Sequence, residues 1–87
     1  MRMPMVHDLK AWPKPFAASK TGIKPFEVRL NDRGYQVGDI IVLFEYDPDK
    51  EQYTGDACCP GKVVYILEGG QFGIQPGFVV MTLEEPT

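Results

Sequence analysis

The chain changes its hydrophobic period as it is read from the amino terminus. "HDLKAWPKPFAASKTGIK" reads as a short polar lead-in followed by one helix near residues 13–20. Pro13 and Pro15 are tolerated only in a first turn, Trp12, Phe16 and Ala17 fall on one side, and Gly22 suits the position just past the end. A helix this short cannot stand alone, so it is expected to dock through Trp12 and Phe16. From Ile23 the period becomes two: Phe26, Val28 and Leu30 alternate with Glu27 and Arg29, the pattern of a strand with one face in a core. "NDRGYQVGD" supplies turn residues, and "DIIVLFEY", apolar at almost every position, reads as a strand buried on both faces. "DPDKEQYTGD" reads as a polar, hairpin-like connection. "KVVYILE" is a further strand, "GGQFGIQPG" a glycine-punctuated loop, and "FVVMTLE" a closing strand.

One helix with four or five strands makes an α+β fold. The connections are too short for parallel crossovers except where the helix itself intervenes. A small mixed barrel or a strongly curled antiparallel sheet is the economical solution, because closure removes vulnerable edges. The 87 residues, 44% hydrophobic, have room for one core, so residues 1–87 are expected to form one domain of modest stability.

Charge changes this picture more than composition does. The net charge of −3 hides an asymmetry: residues 10–33 carry six Lys or Arg against two carboxylates, and residues 34–87 carry two against nine. The basic third is where an anion would be held, and the acidic remainder discourages indiscriminate binding to duplex backbones. No apolar run approaches the roughly 18 residues of a membrane span, and "MRMPMVHDLK" lacks the apolar stretch of a secretion signal, so a cytoplasmic location is expected. Adjacent Cys58 and Cys59 suit neither a loop-closing disulfide nor a zinc site, with His7 the sole histidine. Both are expected to be reduced thiols, and no metal or cofactor is expected.

Glu27 and Arg29 lie two apart on a strand and project from one face. That face is either a solvated outer surface with a weak ion pair, or it is covered and lines a cleft. In a cleft, Arg29 would bind a phosphate or carboxylate as a planar fork and Glu27 would accept from an amino or amide N–H. Lys24 precedes Pro25, where a regular ladder fails, so it either turns toward the same cleft or snorkels to solvent. His7, Asp8 and Lys10 form a polar group before the helix. His7 would be a general base only beside a nucleophile, and otherwise makes a structural hydrogen bond. No nucleophile elbow, C-x-x-C or phosphate-loop motif is present, and "EGGQFG" reads as a tight turn. Of the aromatics, Phe72, on that loop, is the best placed to be exposed for base stacking, the alternative being a turn residue with no such role.

"GIKPFEVR" matches a G-x-K-x-x-E-x-R signature and resembles the ASCH domain group of the PUA-like superfamily, small β-barrels associated with RNA. With "QVGDIIVL" and "GFVVM" added, residues 6–84 look like a small, mostly bacterial and phage ASCH-like family of the DUF3850 type. The resemblance implies a PUA-like mixed β pseudobarrel of about five strands, with one short N-terminal helix near its mouth and a ligand cleft beside the signature strand. Gly22, Lys24, Glu27 and Arg29 occupy the signature positions. His7 and Lys10 match the polar lead-in, and Asp32 and Arg33 the "NDR" segment. The ligand-binding set expected on this basis is Lys24, Glu27, Arg29, His7, Lys10 and Arg33, with RNA or a nucleotide as partner. Some relatives of the group are amidohydrolases that deacylate a modified cytidine with a lysine, a threonine and a glutamate. Lys24 corresponds to the lysine, but Glu27 stands where the threonine is expected and Thr21 lies before the glycine. That substitution argues for binding ahead of hydrolysis, with a small amidohydrolase using Lys24 and Glu27 as the alternative and a protein-interaction module as the third reading.

Overall fold

The computed structural model describes residues 2–85. Five strands and one helix follow in the order β1 (Val6–Ala11), α1 (Pro13–Lys20), β2 (Phe26–Leu30), β3 (Ile40–Asp47), β4 (Gln52–Glu68) and β5 (Phe78–Glu84). They form a single mixed sheet of order β1-β3-β4-β5-β2, in which only the β1–β3 pair is parallel. The sheet curls into a half-barrel that brings its two edge strands toward each other. Side chains, instead of a backbone ladder, bridge that seam: Arg29 Nη2 donates to the Lys10 carbonyl at 3.0 Å and Arg33 Nη1 to the Asp8 carbonyl at 3.0 Å.

The helix occupies the residues its proline and glycine signals predict. Phe16 is buried against β3 and β4 as expected, but Trp12 and Ala17 are exposed and Ser19 takes the second buried position. Docking through Trp12 is therefore incorrect, and one phenyl ring anchors the helix. The core joins Phe16 to Leu9 and Ala11 of β1, Ile41 and Leu43 of β3, Val63 of β4, and Val79, Met81 and Leu83 of β5.

The chain departs from its hydrophobic pattern at several places, each with a physical cause. The polar lead-in is strand β1, whose inward positions are His7, Leu9 and Ala11; a histidine at the first of them hides the period. Strand β3 is buried on one face only, since Ile41 and Leu43 are fully enclosed while Phe44 is partly exposed. The connection after it is a four-residue turn, with the Asp47 carboxylate accepting from the Asp49 and Lys50 N–H groups at 2.9 and 3.2 Å, and β4 begins at Gln52. Strand β4 is long enough to pair with β3 and then β5, and Gly61 permits the change of partner: its φ is +138°, and a Cβ there would lie 2.1 Å from the Glu84 carbonyl oxygen.

The largest departure is in β2. Its charged face points into the half-barrel and its apolar face points out: Glu27 is 3% exposed, whereas Phe26, Val28 and Leu30 are 41–51% exposed. Register decides this. Glu27 and Arg29 stand opposite Met81 and Val79, the inward residues of β5, and Val28 and Leu30 stand opposite Val80 and Phe78 on the outer face. A strand shifted by one residue would exchange the two sets. The inward carboxylate is tolerated because two cations, Lys24 and Arg29, hold it and themselves reach solvent.

Candidate functional site

The end of α1 delivers Lys24 to this inner face. Gly22, at φ +83°, lets the chain turn back, and the Lys24 N–H donates to the Ala18 carbonyl at 3.0 Å. The Lys24 ammonium then donates to the Phe26 carbonyl at 2.8 Å, to Glu27 Oε1 at 2.5 Å and to Ser19 Oγ at 3.5 Å. Glu27 Oε2 accepts from Arg29 Nε at 2.9 Å. One buried carboxylate thus holds two cations, leaving a surplus of one positive charge, and the two cations reach solvent at 20% and 26% side-chain exposure. Lys24, Glu27 and Arg29 converge, with Lys10, Trp12 and Val28, on an open cavity of about 270 Å³ at the seam.

The edge of β2 adds unspent backbone groups to this cavity. The Pro25 carbonyl accepts from Leu83 N–H and the Asn31 N–H donates to the Gly77 carbonyl, so odd-numbered positions of the strand face β5 and even-numbered ones face the seam. The Phe26 carbonyl is taken by Lys24 and the Leu30 carbonyl by Asp32 N–H. The Val28 N–H and C=O remain as an adjacent donor and acceptor on the cavity wall.

Lys10 and Arg33 belong to the same seam and to a second, larger cavity of about 520 Å³, which they line with Asp8, Phe44, Tyr53 and Asp56. The Lys10 ammonium lies 4.1 Å over the Tyr46 ring, and Tyr46 packs edge-on against Tyr53 at 5.2 Å. Asp56 is paired with Lys20 at 2.9 Å.

His7 does not join either cavity. It is buried, with Nε2 2.8 Å from Asp39 Oδ2 and its ring edge-on to Tyr35 at 4.8 Å. Asp39 also takes both guanidinium arms of Arg2, at 3.0 and 2.8 Å, and accepts from the N–H groups of Met5 and Gln36 at 3.0 Å. Burial by itself would push the Asp39 carboxyl up, but these five donors, Arg2 foremost, hold it well below the usual carboxylate range. The cluster secures the segment before β1, which is the structural alternative for His7. Burial likewise pushes the Tyr35 hydroxyl up. Phe72 is exposed on its loop at φ +54° and lines neither cavity. Cys58 and Cys59 are free thiols, and burial pushes that of Cys58 up against the opposing effect of Lys20.

Sequence reasoning thus brings together Lys24, Glu27 and Arg29, sets Lys10 and Arg33 beside them, and misplaces His7. It misses Trp12, Phe44 and Tyr53 as cavity residues. In "VLFEY" the alternation of Leu43 with Phe44 carried the signal for an outward ring, hidden by reading the strand as buried on both faces. Among the described residues no group of three or more His, Cys, Asp or Glu side chains could hold a metal ion, and no helix is long and apolar enough to cross a membrane.

Residues 6–83 match the model of a family described as "Domain of unknown function (DUF3850)", and the chain belongs to that family. No curated protein matches it.

Proposed function

We propose that this DUF3850 member binds RNA or a nucleotide in the seam between β1 and β2, on a half-barrel of the PUA-like, ASCH type. The observation that carries this reading is the buried Glu27 holding Lys24 and Arg29 at a solvent-reachable gap. Lys24 has three acceptors already, so its part is to fix Glu27 and the turn into β2. Arg29 keeps Nη1 free and Lys10 keeps its ammonium free apart from the Tyr46 ring; these two take the phosphate. The Val28 N–H and C=O match the adjacent acceptor and donor of a base edge, and the exposed indole of Trp12 offers a stacking surface beside them. The five-stranded mixed sheet and the G-x-K-x-x-E-x-R strand support the ASCH-type assignment. Two unpaired thiols fit a cytoplasmic location.

Amidohydrolysis of an acylated nucleoside is the second reading, favoured by the 2.5 Å contact between Lys24 and a buried carboxylate. It is the weaker one, because both carboxylate oxygens and the ammonium are committed to each other and to neighbours, leaving no free base. Titration of AMP and short single-stranded RNAs against backbone amide shifts should perturb residues 10–12 and 22–33 first. Binding should weaken with salt at a slope of about −0.7 to −1.4 for one or two phosphate contacts. No shifts at millimolar ligand, or shifts confined to residues 62–84, would refute the binding reading. Release of acetate from N-acetylcytidine that vanishes in Lys24→Ala would establish hydrolysis in its place.

A further inference from the structure

A single nucleotide held at Arg29 leaves the larger cavity unused, and that cavity is built from complementary parts. Phe44 and Tyr53 present rings that are 38% and 57% exposed, and Tyr53 is braced from behind by Tyr46. Lys10 lines both cavities. Arg29 and Arg33 donate to alternate carbonyls of β1, those of Lys10 and Asp8, so the two guanidinium groups grip points roughly 6.6 Å apart along one strand. Arg33 spends only Nη1 there, leaving Nε and Nη2. Three cations, Arg33, Arg29 and Lys10, therefore gather on β1 where the two cavities adjoin, with Trp12 lining one cavity and Phe44 and Tyr53 the other.

We propose that the ligand is a single-stranded oligonucleotide of at least two nucleotides, which deepens and rests on the nucleotide-binding reading above. One base occupies the cleft between Trp12 and Val28, the next stacks on Phe44 and Tyr53, and the phosphate between them lies on Arg29 and Lys10, with Arg33 beside it. Asp8 accepts from an exocyclic amine of the second base. Asp56 is kept from repelling the phosphate by Lys20. A duplex does not satisfy this arrangement, because its bases are stacked on each other and cannot enter two separate concavities, whereas splayed single strands can.

The test compares adenylyl-adenosine and uridylyl-uridine with AMP and UMP, by calorimetric affinity and amide shifts on the whole chain. The dinucleotides should bind at least about tenfold tighter, the effect of one further base stack, and only they should shift residues 53–57. Tyr53→Ala should remove that advantage while leaving the mononucleotide affinity unchanged, and loss of the edge-on contact with Tyr46 should lower the thermal midpoint by no more than a few degrees because Tyr53 is half exposed. Equal affinities for mono- and dinucleotide, or a Tyr53→Ala variant that keeps the advantage, would overturn the two-base arrangement while the nucleotide site stands. Absence of binding by all four ligands would overturn both.

Discussion

Replacing Glu27 by Gln tests the feature on which the site depends, because the change preserves shape and removes only the charge. The buried carboxylate makes two charge-assisted bonds, at 2.5 Å to Lys24 and 2.9 Å to Arg29. An amide can accept from one cation but must turn its NH2 group toward the other, so one bond is lost outright and the other keeps a charged donor but loses its charged acceptor. Bonds to charged groups contribute about 1.5–3 kcal/mol each, so the bond lost outright carries most of the cost and the weakened one adds a smaller part. Lys24 and Arg29 are a fifth to a quarter exposed, so water recovers part of the loss. The expected cost is about 2–3 kcal/mol, or a fall in the thermal midpoint of roughly 10–20 °C for a domain this size. Urea unfolding followed by circular dichroism measures it. Lys20→Ala, which breaks an exposed pair with Asp56, should cause no measurable change. A double-mutant cycle of Glu27→Gln with Arg29→Met should return a coupling of at least about 1 kcal/mol, since the two groups touch. A Glu27→Gln variant as stable as the parent would refute the reasoning, because the inward charges would then be solvated independently and the inner face of β2 would not be a built site.

Two further outcomes follow from the fold. The Asp39 carboxyl is held below its unfolded value of about 3.9, so the folded state binds that proton less readily. Its contribution to stability is complete above that value and is lost as the pH falls below it; urea midpoints should hold between pH 7 and 4.5 and fall at pH 3, and Asp39→Asn should lower the first two while flattening the fall. Gly61→Ala should destabilise far more than Gly55→Ala, although both glycines have positive φ: the strain common to both is about 1–3 kcal/mol, but only at Gly61 would the new methyl overlap a backbone carbonyl. Similar urea midpoints for the two variants would show that β4 changes partners without needing the close approach to Glu84.

Much of this protein was legible in its residues. The helix from Pro13 to Lys20 needs only local rules, because proline in the first turn and glycine beyond the last act on their own backbone. The same holds for the pairing of Glu27 with Arg29: two residues apart on a strand, they share a face wherever the strand lies. For Lys24 the residues left two outcomes, turning toward that face or snorkelling to solvent, and the contact with Glu27 selects the first. Strand β1 was hidden because His7 fills an inward position, and a buried histidine is acceptable only where a carboxylate meets it, here Asp39, 32 residues away.

The choice of which β2 face is enclosed has no local determinant. Alternation specifies that charged and apolar residues part company, but the register with β5 selects the side, and the pairing of the buried Glu27 with two partly solvated cations, Lys24 and Arg29, makes the charged side tolerable inside. Closure of the seam likewise depends on β1 lying parallel to β3, which brings the Asp8 and Lys10 carbonyls within reach of Arg33 and Arg29. The residues by themselves determined that charge would gather on one face of one strand; the curvature and register of the sheet made that face the wall of a cavity, because only they bring the two edges together.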